Sequence, residues 1–194
     1  MMRAIARYGV RTIPGDEKEI VAAFRRGEAI EGPAIKEFEN RFAEFHGMDH
    51  AVTASFGRMA FYYILRALDL PPGSEIIFPA LTFWVVPEIA RRAGLTPVFV
   101  DVDAQDFNLD PAQIETKITD KTVGIVPVHW SGKPCHMSAI MAIAKKHNLF
   151  VVEDALRLLP TTEHVTNSII NKFLGNGKLR VSCGPKEHQF PTGY

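Results

Sequence analysis

The carboxylates Glu153 and Asp154 close the apolar run LFVVED, and they set the first chemical demand of this sequence. A carboxylate at the end of a buried strand needs a partner, because burying it unpaired is costly. A cationic nitrogen meets that need, and His129, at the end of GIVPVH, is a candidate neighbour. Three other strand ends carry informative residues. In SFGRMA, Gly57 stands at the turn into a helix-like run, with Arg58 beside it. A glycine there lets a phosphate approach the backbone, and the helix start offers N–H groups and a positive dipole end. Ordinary turn chemistry is the competing reading. In PALTFW, Phe83 and Trp84 either offer a face to a planar ligand or belong to the core. In VDVD, Asp101 and Asp103 occupy alternate positions of an extended run and point to opposite faces. Turn capping and solvation suit them better than metal binding, and no metal ligand is expected.

Elements that alternate strictly must position these residues. GPAIKEFENRFAEFHG has Pro at its start and Gly at its end, the punctuation of a helix. Ile35, Phe38, Phe42 and Phe45 recur at steps of three and four and make one apolar stripe. The strand HAVTAS follows, then the helix RMAFYYILRALDL, the turn PPGSE and the strand EIIFP. TFWVVPEIARRAG reads as a helix closed by Gly94, TPVFVDV as a strand and DPAQIETKI as a short helix. KTVGIVPVHW, SAIMAIAKKHN and LFVVED complete the series as strand, helix and strand. The strands are unbroken Val/Ile/Phe runs, as expected when helices cover both faces of a mainly parallel sheet. Residues 156–194 lose this texture, with scattered Pro and Gly and NSIINKFLG as a single candidate helix.

A chain of 194 residues suffices for one domain with a substantial core. Lys+Arg and Asp+Glu are both 22, so no net field attracts nucleic acid or an anionic membrane. No apolar run is long enough to span a bilayer, and the first residues lack a secretory apolar core. A cytoplasmic protein with no nucleic-acid or membrane partner is expected. Cys135 and Cys183 fit neither a disulfide framework nor a metal spacing and read as ordinary thiols.

Taken in order, "GEAIEGPAIKEFENRFAEFHG", "VTASFGRMAFYYILRALDLPPGSEIIFPALTF", "GLTPVFVDVD", "IVPVHWSGKP" and "LFVVEDA" resemble the DegT/DnrJ/EryC1/StrS aminotransferases over roughly residues 27–155. The resemblance implies the three-layer α/β large domain of fold-type-I pyridoxal-phosphate enzymes, with a mainly parallel sheet. It further implies amino transfer from glutamate to a nucleotide-linked keto-sugar, pyridoxal 5'-phosphate as cofactor, and a homodimer. Gly57 and Arg58 fall where the family has the Gly-Thr that holds the cofactor phosphate; Arg58 replaces the Thr and its hydroxyl. Phe83 falls on the aromatic that stacks on the pyridine ring. Asp154 falls on the catalytic Asp that pairs with the protonated pyridine nitrogen.

Departures follow at once. After Glu-Asp the family continues Ala-Ala-Gln or Ala-Ala-His, whereas Asp154 is followed by Ala155, Leu156 and Arg157. The family's Ser-Phe block ending in the Schiff-base lysine is not found, and Lys172 and Lys178 lack that context. The expected organisation is a partial aminotransferase large domain over 1–155, truncated and without the small C-terminal domain. A divergent tail, disordered or read out of frame, would occupy 156–194. On this reading the chain is an incomplete aminotransferase, inactive alone. Two alternatives stand beside it. One is a non-catalytic relative that binds cofactor or a partner chain and regulates; the other is a lysine-free relative with a histidine in the lysine's place, for which His164 and His188 lack the context.

Overall fold

The computed structural model describes residues 14–28, 32–46 and 48–155. Two helices lead, α1 (Asp16–Arg25) and α2 (Pro33–Phe45), and α3 (Gly57–Ala67) follows. The chain then alternates through β1 (Glu75–Pro79), α4 (Val85–Arg92), β2 (Thr96–Val100), α5 (Pro111–Ile114), β3 (Thr122–Ile125), α6 (Met137–Lys146) and β4 (Phe150–Val151). The four strands are all parallel, in the order β2-β1-β3-β4. Unbroken apolar strands therefore do mark a sheet covered on both faces.

The side-chain alternation of the strands divides the core in two. Ile76, Phe78, Val126, Phe150 and Val152 pack with Phe61 and Leu65 of α3 and with Val86 and Ala90 of α4. Ile77, Ile125 and Val151 point the other way and pack with Ile114 of α5 and Ile140 and Ala144 of α6. Helices lie on both faces, which gives the expected three layers. Inside the sheet, Gly124 pairs with Phe150 across β3 and β4. A Cβ at Gly124 would come within 2.3 Å of the Phe150 ring, so only glycine lets that ring cross the strand.

Three elements differ from expectation. HAVTAS forms no strand, since no strand of the sheet pairs with it. The Thr53 N–H and hydroxyl instead go to Glu39 Oε1 of α2, at 2.8 and 3.0 Å, and Val52 stands exposed. LFVVED is regular only at Phe150–Val151, but a parallel bridge between Val128 and Asp154 carries its extended course onward. Helix α1 has no counterpart among the expected elements. Its acidic first turn, Asp16, Glu17 and Glu19, suits the positive N-terminal end of a helix. The apolar stripe of α2 forms as expected but stays in solvent: only Ala43 is buried, and Phe38, Phe42 and Phe45 are exposed. Residues 156–194, with the expected tail, lie outside the described residues.

Candidate functional site

From β1 the chain steps to one side to form β2, then returns to the other side for β3 and β4. At such a reversal, outside the carboxyl ends of β1 and β3, open α/β sheets usually hold their ligands. Two sequence-selected positions, Phe83 and Asp154, follow the carboxyl ends of β1 and β4. Phe61, in the second turn of α3, meets Phe78 near the end of β1, ring centroids 6.3 Å apart. Helix α3 therefore starts beside the strand ends. Its N-cap, Phe56, is extended and makes no side-chain cap. The Gly57 and Arg58 N–H groups lie in the first turn, where a helix has no acceptors of its own for them. The Arg58 guanidinium rests 4.1 Å from the centroid of the Phe56 ring.

Phe83 lies in the connection from β1 to α4. It is 56% exposed and Trp84 70%, so neither belongs to the core. Next to them the Thr82 hydroxyl is buried without a hydrogen-bond partner among the described residues. Such an orphan costs about 1–3 kcal/mol unless something completes it.

Asp154 reaches the same edge from β4. Its N–H donates to the Pro127 carbonyl at 2.9 Å, and its own carbonyl accepts the His129 N–H at 3.1 Å. Strand alternation places Asp154 with Phe150 and Val152, on the face covered by α3 and α4. Glu153 falls on the opposite face, with Val151 and α6. From β1 to β4 is two strand spacings, roughly 10 Å, a span suited to one aromatic ring with its substituents.

His129 is a neighbour of this strand end, but its ring pairs with Glu153 and not with Asp154. Nε2 lies 3.0 Å from Glu153 Oε2, and both side chains are buried. The other ring nitrogen, Nδ1, accepts the Cys135 N–H at 3.0 Å. The proton of the neutral imidazole therefore sits on Nε2 and is donated to Glu153. Burial raises the Glu153 carboxyl above its ordinary value, opposed by the His129 bond. Burial, with Glu153 and Asp106 adding negative charge, pushes the Cys135 thiol up to about 12. It is an inert thiol, donating to the Val128 carbonyl at 3.2 Å.

Asp101 and Asp103 cap turns, their Oδ1 atoms accepting the N–H groups of Val102 and Gln105. Sequence reasoning missed Asn108. This fully buried side chain accepts the Trp130 N–H and donates to the carbonyls of Lys133 and Pro134, winding the loop that follows β3. An Asx residue ahead of Asp110-Pro111 was its only signal. Lys172, Lys178, His164, His188 and Cys183 lie outside the described residues.

The DegT/DnrJ/EryC1/StrS aminotransferase family model matches residues 13–165, and the chain belongs to that family. The match begins ahead of the motif-bearing stretch and runs past Ala155. The spore coat polysaccharide biosynthesis protein SpsC of Bacillus subtilis (strain 168) is 39% identical over 156 residues, 80% of this chain and 40% of that protein. A GDP-perosamine synthase of Caulobacter vibrioides is 41% identical over 131 residues, 68% of this chain and 35% of that one. The crystal structure of NtdA from Bacillus subtilis with bound cofactor PMP superposes with a TM-score of 0.73 at 32% identity, covering 76% of this chain and 34% of NtdA. The chain thus spans about 40% or less of the length of these relatives.

Proposed function

We propose that this chain carries the cofactor half of a nucleotide-sugar aminotransferase site and binds pyridoxal 5'-phosphate at the carboxyl edge of its sheet. The residues present fit that group by their donor chemistry. The uncapped first turn of α3 offers the Gly57 and Arg58 N–H groups to the phosphate. Arg58 adds a positive charge in place of a hydroxyl. The exposed Phe83 face covers the ring, and Asp154 receives the pyridine N–H. The orphan Thr82 hydroxyl beside Phe83 belongs to the same edge. When bound, pyridoxal phosphate supplies an electron-withdrawing ring, strongest when its nitrogen is protonated.

The placement of Phe83 after β1 and of Asp154 after β4, with the uncapped start of α3 packed near the end of β1, supports this reading. The function follows from the family: transfer of an amino group from an amino acid such as glutamate to a nucleotide-linked keto-sugar, in keeping with relatives such as the GDP-perosamine synthase. The lysine for covalent attachment is not supplied by any Ser-Phe block in the 194 residues. Gly57, Arg58, Phe83 and Asp154 support reversible cofactor binding. The exposed stripe of α2 supports association with a second copy, as a homodimer. Titrating the purified chain with pyridoxal phosphate, followed by absorbance, tests the reading. Saturable binding that falls about tenfold or more in Asp154→Ala, with no site-specific lysine adduct trapped by borohydride, supports it. Absence of saturable binding refutes it.

A further inference from the structure

The His129–Glu153 pair is buried and sits at the strand end that carries Asp154. Its bonds run along the junction that aims Asp154. Glu153 directly precedes Asp154, and His129 directly follows Val128, the bridge partner of Asp154. Two backbone bonds join these segments, Asp154 N–H to Pro127 and His129 N–H to Asp154. The Glu153–His129 side-chain bond of 3.0 Å closes the same ladder from the opposite face. The imidazole cannot swing, because the Cys135 N–H holds its Nδ1 at 3.0 Å. Cys135 in turn is tied to the Val128 carbonyl at 3.2 Å. Around the Val128–Asp154 bridge, three residues past the last regular pairing of β3 and β4, a side-chain bond thus joins the two strands again.

We propose that His129 and Glu153 are positioning residues for Asp154: their buried bond fixes the strand end that presents the Asp154 carboxylate to the ligand. The role matters because Asp154 lies where β4 has ceased to be regular strand. Backbone pairing alone is weakest there, and a displacement of about 1 Å at a reacting contact can cost a hundredfold. The inference rests on the proposed cofactor site, and its test separates the two. Both partners are replaced together, His129→Asn with Glu153→Leu: the Asn Oδ1 keeps an acceptor for the Cys135 N–H while the bond to residue 153 is removed, so no buried donor loses its partner on that side. Glu153→Gln is the conservative control, its carbonyl still accepting the Nε2 proton.

Three quantities are read on the full chain: the denaturant midpoint, the hydrogen exchange of the His129 and Asp154 amides, and the affinity for pyridoxal phosphate. The double variant is expected to keep its midpoint while those two amides exchange about tenfold faster and affinity falls about tenfold. Glu153→Gln is expected to stay within about twofold of wild type on both. A folded double variant with wild-type exchange and affinity overturns the proposal, as does a Glu153→Gln loss equal to that of the double variant. If wild type binds no pyridoxal phosphate, the cofactor reading fails, and amide exchange alone decides the positioning role.

Discussion

Two adjacent carboxylates end β4, and their surroundings give them opposite tasks. By strand alternation Asp154 shares the face of Phe150 and Val152, while Glu153 is buried against His129. Glu153 is held above its ordinary value of 4.5, chiefly by burial. A carboxyl raised in the folded state contributes stability that is fully present below 4.5 and is lost as pH rises through its higher folded value. Ionising Glu153 therefore costs stability as pH rises above 4.5, and Gln removes that cost. Relative to wild type, Glu153→Gln should gain in denaturant midpoint between pH 4.5 and 7 and show no gain at pH 4; a gain independent of pH would contradict this. Cys135, with its thiol at about 12, should resist iodoacetamide at pH 8 in the folded chain and react once denatured, as peptide mass spectrometry would show. Asp154 was legible in the sequence because a carboxylate after an apolar run demands a partner. The partner of Glu153 was not, because a contact between residues 24 apart depends on the register of two strands.

The elements were legible where periodicity decides the matter. Apolar runs at EIIFP, TPVFV, TVGI and FV became parallel strands, and the switch between β1 and β3 follows from their order. HAVTAS, expected as a strand, makes none, because a sequence run by itself cannot supply a ladder partner. The aromatics of α2 and of the β1–α4 connection look identical in sequence to core residues, and only packing shows them to be exposed. Gly124 illustrates the reverse, a residue without a side chain whose role is set by the Phe150 ring facing it. Gly124→Ala should cost about 1–3 kcal/mol in a denaturation experiment through overpacking. Gly124→Ala combined with Phe150→Leu should recover part of that loss.

At the scale of the whole molecule, a core with helices on both faces coexists with an apolar stripe on α2 that no described residue covers. Ile35, Phe38, Phe42 and Phe45 are rimmed by charged residues, a pattern typical of an interaction surface. Sedimentation should show the chain self-associating at micromolar concentration, and Phe38→Ser with Phe45→Ser should move it toward monomer. A monomer in both cases would argue against a second copy on that stripe.

At the carboxyl edge of the sheet, Asp154 is proposed to hold the nitrogen of a pyridine ring. The 15N chemical shift of ring-labelled pyridoxal phosphate reports directly whether that nitrogen is protonated. Bound to the wild-type chain near pH 8, the ring nitrogen should give the pyridinium shift, and with Asp154→Asn the neutral pyridine shift. A neutral shift in the wild-type complex, or a pyridinium shift unchanged in Asp154→Asn, would contradict the account.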